Sequence, residues 1–319
     1  MIEFRYHLVS IVSIFLALAV GIVLGAGPLQ GQIGDTLTNE INQLRKDKTA
    51  LRSQVDALEG AASDRTAYES ATVGRVVAGL VSGRGVALVV LPGVDSETVT
   101  TMSATVRQAG GTVASTTTMD PSWIATDTST RTAREDLGAD LAADLKLTSS
   151  SSDTANTPIM DRVLAAALTS GSSSQGQENA RAALKKLADA NFIDVDSATA
   201  VPGQLVVVLS SDLTGGTKEA RLARGTAWVQ LARALDTAAA GSVVAATSTP
   251  ASDSATSVVT TLREDKLAAG AVSTVDDVEQ PMGLASVVLA LAEQETGTAG
   301  HYGQADGASA PFAPLPGDE

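Results

Sequence analysis

Residues 86–91 read VALVVL, a continuous apolar run of strand length that ends at Pro92-Gly93. Apolar runs without alternation are typical of strands that are buried on both faces, as in a parallel sheet covered by helices. The next stretch, 96–109, predicts a helix, and residues 112–118, which follow a Gly-Gly pair, predict a second strand. Residues 86–118 therefore predict a βαβ unit.

The alternation of strands and helices continues to residue 293. Further strands are predicted over 205–209, 242–247 and 272–275, and helices over 131–147, 158–168, 178–190, 219–240 and 283–293. Ser-, Thr- and Gly-rich connections over 148–157 and 170–177 separate three of these helices. The prediction is an α/β fold, with a Rossmann-like, mostly parallel domain over 64–296 and a disordered Gly- and Pro-rich tail over 297–319.

Composition excludes several classes of function. The 319 residues include 36 acidic and 22 basic side chains, a net charge of −14, so binding to nucleic acid is not expected. The chain has no cysteine for a disulfide or a thiolate. It also has no GxGxxG fingerprint, P-loop or GxSxG elbow. We therefore expect neither enzyme activity nor a bound cofactor.

Metal binding also has little support in the residue types. Copper prefers thiolate, thioether or imidazole ligands. The methionines and the two histidines, His7 and His301, show no MxxM or HxxH spacing, and His301 falls in the predicted tail. Isolated methionines in apolar runs normally fill a core. We expect no metal site in this chain.

Acidic residues follow three of the predicted strands. Asp95, Asp212 and Asp276 lie near carboxyl ends of strands, where parallel sheets often bind ligands. A small-ligand sensor is therefore one alternative hypothesis. Asp276 and Asp277 with Glu279 could bind a hard cation, although a solvated loop or a helix cap is the commoner role for such a cluster.

The N-terminal region predicts a membrane helix. Residues 8–27 read LVSIVSIFLALAVGIVLGAG and carry no charge. A helix of this length spans about 30 Å, the thickness of a bilayer core. Because Arg5 precedes the span and Asp35 is the first charge after it, we predict a cytoplasmic N-terminus over 1–7 and a bulk outside the plasma membrane. The alternative is a signal peptide, but Pro28 would follow the cut.

Small residues form one face of this span. Gly21 and Gly25 make a GxxxG pair, and Ser10, Ser13 and Ala17 extend the same face. Small side chains let two helix backbones approach closely, so this face predicts packing against a second membrane helix. The alternative is that glycine and alanine are simply common in membrane helices.

Residues 33–59 predict a coiled-coil stalk. Leucines recur every seven residues and occupy heptad position d, and position a is filled by Ile, Lys and Val. We name these seven positions the seam: Leu37, Ile41, Leu44, Lys48, Leu51, Val55 and Leu58. This pattern favours a parallel two-stranded coil and predicts a homodimer or hetero-oligomer. An amphipathic helix that folds back on its own domain is the alternative. The pattern stops at 60–63, and a separate helix is predicted over 64–80.

Together these motifs resemble the actinobacterial MctB family. The resemblance rests on residues 5–27, the heptads, the segment 273–278 followed by Gly283 and VVLALAE, and the tail motif at 300–303. The family carries the name "copper transporter", which implies copper transport or homeostasis and an outer-envelope location. It also includes SteB, a partner of the membrane protein SteA in cell separation. That member implies a coil that engages a SteA-like partner or a regulator of a peptidoglycan hydrolase.

Two functional hypotheses follow. The first is a membrane-anchored envelope scaffold or regulator, in which the stalk binds a partner and the α/β domain docks other proteins. The alternative is a component of copper efflux, as the family name implies, without copper ligands of its own.

Overall fold

The structure is a computed structural model that describes residues 3–26, 28–147, 157–169, 173–196, 198–247 and 255–315. The chain divides into two compact units, Met1–Arg65 and Thr66–Glu319. We call the second unit the head. The connections predicted over 148–157 and 170–177 lie mostly outside the described residues.

The first helix, α1, runs from Glu3 to Ala26 and confirms the predicted apolar helix. Its stretch Phe4–Gly25 has 22 residues and a mean hydropathy of 2.8, and none of it is buried. Because such a helix is as long as a bilayer core is thick, α1 is long and apolar enough to cross a membrane. The helix includes residues 3–7, so the predicted N-terminal segment is partly helical.

The second helix, α2, extends from Pro28 to Val76 without a break and contains 49 residues. The prediction of a separate helix over 64–80 is therefore wrong, because α2 continues through 60–63 and ends at Val76. Ala61 and Ala62 are strong helix formers, and a single glycine in a helix costs only about 1 kcal/mol. Residues 60–63 therefore interrupt the heptad pattern but not the helix.

The head contains a seven-stranded sheet in the order β3-β2-β1-β4-β6-β8-β9, and a two-stranded ribbon of β5 and β7. All neighbours in the large sheet are parallel except β2 and β3, which confirms the prediction of a mostly parallel sheet. The strands are β1 Gly85–Val90, β2 Thr112–Met119, β3 Ile193–Val195, β4 Leu205–Ser210, β5 Leu213–Thr214, β6 Ser242–Ala246, β7 Ala255–Thr256, β8 Ser273–Val275 and β9 His301–Tyr302.

Helices cover both faces of the sheet, as expected for strands that are apolar on both sides. They are α3 Ser96–Gln108, α4 Thr128–Asp144, α5 Ile159–Thr169, α6 Ser174–Asp189, α7 Lys218–Ala238, α8 Val258–Glu264, α9 Lys266–Ala269 and α10 Pro281–Gln294, with a 3₁₀ helix at Pro121–Ile124. The long segment between β2 and β4 forms α4, α5 and α6, together with the edge strand β3.

Alternate residues of each strand enter two separate cores. Ala87 and Val89 of β1 pack with residues of α5, α7 and α8 on one face. Val86, Leu88 and Val90 pack with residues of α3 and α10 on the other. Because each buried strand serves both cores, its sequence is apolar at every position, which is the signal that residues 86–91 carry.

The prediction of a disordered tail over 297–319 is wrong for residues 301–315. β9 pairs in parallel with β8, and Tyr302 and Ala313 are buried at 5% and 0% exposure. His301 belongs to this arrangement, because its Nε2 donates to the carbonyl oxygen of Ala269 at 3.1 Å. A segment of low hydrophobicity is therefore ordered by contacts with the rest of the head.

Candidate functional site

The seven seam residues all lie on α2, and a seven-residue spacing places them along one side of the helix. The six apolar members are strongly exposed, from 44% at Ile41 to 71% at Leu44 and Leu58. The seam is therefore an exposed apolar stripe along α2.

Charged side chains border the seam. A groove on α2 is lined by the seam residues Leu44, Lys48, Leu51 and Val55 together with Asp47, Arg52 and Asp56. Within the helix, Gln43 Nε2 donates to Asp47 Oδ1 at 2.9 Å. The stripe thus combines an apolar centre with charged edges.

Gly21 and Gly25 lie four residues apart on α1, so they share one face of the helix. A Cβ atom added at either glycine would meet no atom within 4 Å. Among the residues that the structure describes, no packing contact therefore requires glycine at these two positions. The predicted packing of this face against a second membrane helix stays a prediction.

The sheet has a topological switch point between β1 and β4. Val90 of β1 is paired with Thr118 of β2 on one side and with Leu209 of β4 on the other, and the connections from β1 and β4 lead in opposite directions. Ligands of doubly wound sheets bind in the crevice beyond the carboxyl ends at such a point. Here that crevice is a cleft of about 760 Å³.

Residues after both strands line this cleft. Ser211 Oγ donates to the carbonyl oxygen of Pro92 at 3.0 Å, which ties the two strand ends together. Arg224 of α7 donates through Nη2 to Thr214 and Gly215 carbonyl oxygens at 2.7 and 2.9 Å. Asp212 lines the cleft as predicted. Arg224 therefore stabilises the loop after β4 through these two hydrogen bonds.

Asp95 does not line the cleft but caps α3. Its carboxylate accepts hydrogen bonds from the amide and the hydroxyl of Thr98 at 2.7 and 2.8 Å. These hydrogen bonds lower the pKa of Asp95. An aspartate at this position stabilises the first turn of a helix, so Asp95 has a structural role.

Asp276 forms a buried ion pair with Arg263. Arg263 Nη1 lies 2.7 Å from Asp276 Oδ2, and each side chain is 2% exposed. Asp276 Oδ1 also accepts from the amides of Gln304 and Ala305 at 2.7 and 3.1 Å, and Arg263 Nη2 donates to the Tyr302 carbonyl oxygen at 2.8 Å. The predicted solvated cluster is wrong, because this carboxylate is buried and holds the C-terminal segment.

The neighbouring Asp277 is buried as well, at 4% exposure. Its Oδ1 has no hydrogen-bond partner among the described residues. Burial raises the pKa of Asp277 to about 6, and the charges of Asp276 and Glu279 act in the same direction. In the described part of the chain, no group of three or more histidine, aspartate or glutamate side chains could hold a metal ion.

Sequence reasoning missed one further buried acid. Asp161 of α5 is 5% exposed, and Trp123 Nε1 donates to its Oδ1 at 2.8 Å. Burial raises the pKa of Asp161 to about 7. The available signal was an aspartate within the apolar stretch of residues 159–168, where a solvated carboxylate is not expected.

Comparison with known proteins identifies the family of this chain. Relatives named "Copper transporter MctB" in Mycobacterium tuberculosis and Mycobacterium bovis are 27% identical to the chain over 320 residues, covering 97% of it and 98% of each relative. A relative of the same name in Mycobacterium leprae is 33% identical over 123 residues, covering 36% of the chain and 37% of the relative. A family model described as "Copper transport outer membrane protein, MctB" matches residues 1–313, and the chain therefore belongs to the MctB family.

Proposed function

We propose that this chain is a membrane-anchored cell-envelope protein that acts as a scaffold. In this proposal α1 anchors the chain, the seam on α2 pairs with another helix, and the head docks further envelope components. The observation that carries the proposal is the exposed apolar seam on an uninterrupted helix.

The energetic argument rests on apolar area. Fully burying one leucine or valine side chain contributes roughly 1.5–3 kcal/mol relative to leaving it in water. Six apolar seam residues, each 44–71% exposed, can supply several times this amount when a second helix covers them. Anchoring both helices in one membrane also raises their effective concentration. A coil of only three heptads is then long enough to pair.

The proposal also covers where in the cell envelope the protein lies and how it is oriented. Arg5 before the apolar stretch supports a cytoplasmic N-terminus, with the stalk and the head outside the plasma membrane. The description of the family as an outer membrane protein supports the alternative of an outer-envelope location. The resemblance to a family that includes SteB supports a role in cell separation, with a SteA-like membrane protein or a peptidoglycan-hydrolase regulator among the partners.

Crosslinking in intact cells tests the seam. Leu44→Asp or Leu51→Asp places a charge at position d, and we expect either substitution to abolish the crosslinked species formed through the stalk. Ser53→Asp introduces the same charge on the opposite side of α2 and is the matched control, expected to leave crosslinking unchanged. Unchanged crosslinking in the two leucine variants would remove the basis of the scaffold proposal.

A role in copper homeostasis is the second candidate, because relatives that match 97% of the chain are named copper transporters. Since the described residues offer no cluster of metal ligands, we propose that this role is exerted through partners. Deletion of the gene is then expected to raise cellular copper under copper load. The wild-type chain is expected to correct this and the Leu44→Asp variant is not. Normal copper content after deletion would exclude the role.

A further inference from the structure

The charges beside the seam have an ordered pattern. With leucines at position d, Glu40 and Asp47 occupy position g, and Arg45 and Arg52 occupy position e. In a parallel two-stranded coil, each g residue faces the partner's e residue five positions later. Because the acidic g residues and the basic e residues lie on the same helix, two copies of this helix can pair acids with arginines.

We propose that the seam binds a second copy of this chain, parallel and in register. The inference rests on the proposed function, since it names the partner of the same seam. In this register Glu40 faces the partner's Arg45, and Asp47 faces the partner's Arg52. Two-fold symmetry repeats both contacts, so four acid–base pairs flank the apolar stripe.

Lys48 fits the same register. At position a, its side chain packs beside the partner's g residue, which is the partner's Asp47. Asp47 and Lys48 line the same groove on α2, so both lie at the edge where the two helices meet. Each ammonium is thus neutralised across the interface, and the long lysine stem carries it to the solvent-exposed rim.

The alternative arrangements bring like charges together. An antiparallel coil places g opposite g and e opposite e, so acids would meet acids and arginines would meet arginines. A parallel shift of one heptad places Asp47 opposite the partner's Glu59 and leaves fewer acid–base pairs. Such repulsion specifies one arrangement against its competitors.

The membrane helix supports the same partner. The face of α1 that carries Gly21 and Gly25 is open toward the described part of the chain, because a Cβ atom at either position would meet none of its atoms within 4 Å. GxxxG faces pair well with copies of themselves, since both backbones must approach closely. Two parallel copies would therefore contact each other along both the anchor and the stalk.

The test exploits the absence of cysteine from the chain. In the full chain, Leu37→Cys places a thiol at position d, where an in-register parallel dimer brings two copies within disulfide distance. We expect a disulfide-linked homodimer on mild oxidation of membranes. An antiparallel coil packs position d against the partner's position a, so it would instead join a Leu37→Cys chain to a differently tagged Val55→Cys chain, and that product would overturn the inference.

Charge reversal then tests whether the partner of the seam is a second copy of this chain. In the Leu37→Cys background, Arg45→Glu with Arg52→Glu makes both edges acidic, and Glu40→Arg with Asp47→Arg makes both edges basic. We expect each variant alone to lose affinity for itself by about tenfold or more. Mixing the two variants, carrying tags of different size, is expected to restore dimer formation as the mixed species.

The outcomes separate this inference from the scaffold proposal. Undiminished homodimer in both charge variants, or no mixed dimer on combining them, would overturn pairing between copies. If Leu44→Asp still abolished stalk crosslinks in cells in that case, the seam would serve a different protein and the scaffold proposal would stand. If Leu44→Asp also had no effect, both would fall.

Discussion

Replacing Asp161 with asparagine is expected to raise the free energy of unfolding of the head at pH 8 and to leave it nearly unchanged at pH 4. The carboxyl group is 5% exposed and accepts a hydrogen bond from Trp123 Nε1. Burial raises its pKa from 3.8 to about 7. An asparagine keeps an oxygen that can accept the Trp123 hydrogen bond, and it has no proton to lose.

The sign follows from proton linkage. Since the pKa is higher in the folded state than in the unfolded state, the folded protein holds more protons at Asp161 between about pH 4 and pH 7. The stability contributed by this group is therefore present in acid and is lost as the pH rises to 7. One pKa unit corresponds to about 1.4 kcal/mol, so the loss between pH 5 and pH 8 is about 2–3 kcal/mol.

Urea unfolding of the full chain in detergent, followed by tryptophan fluorescence, measures this effect. Trp123 and Trp228, the two tryptophans of the chain, are 3% and 1% exposed within the head, so the signal reports its unfolding. The comparison is between wild type, Asp161→Asn and Asp136→Asn, where Asp136 is an exposed aspartate of α4. Equal losses of stability between pH 5 and pH 8 in wild type and Asp161→Asn would refute the reasoning.

Three further predictions concern the stability of the head, the first two measured by urea unfolding and the third by thermal melting. Asp276→Asn leaves the charge of Arg263 buried without its counter-ion and is expected to cost about 3–5 kcal/mol. Adding Arg263→Met is expected to cost less than the sum of the single changes, and strict additivity would contradict the coupling. Gly283→Ala directs a Cβ at the backbone carbonyl of Asp277 and is expected to cost at least about 2 kcal/mol, whereas an unchanged urea midpoint would contradict this overlap. Ending the chain at Gly300 removes β9 and is expected to lower the melting temperature, which an unaltered melt would disprove.

Most of the fold could be predicted because the central strands carry a local signal. Residues 86–91 and 205–209 are apolar throughout, and the structure places them in the two central strands β1 and β4. Parallel pairing follows from the helices between strands, which cover both faces. The seam could be located for the same reason, since a seven-residue period is visible in any three consecutive heptads.

The parts that could not be predicted depend on contacts between distant residues. β9 has only two residues and no apolar pattern, and its position is fixed by Arg263 and Asp276, which lie 39 and 26 residues before Tyr302. The burial of Asp161 likewise depends on Trp123 of a separate element. In both arrangements the contacting residues are far apart in sequence, so no window of ten or twenty residues shows which side chains meet, although the apolar stretch 159–168 does indicate that Asp161 is buried.

The contacts that hold β9 in the sheet also affect how the head folds during synthesis. Arg263 and Asp276 find their last partners in residues 302–305, and the buried Ala313 comes after these. A nascent chain that has emerged only as far as α10 therefore holds this charged pair beside an unfinished sheet edge. The head can therefore consolidate only after residues 302–313 have left the ribosome, and a chain interrupted before them would keep the ion pair beside an unfinished sheet edge.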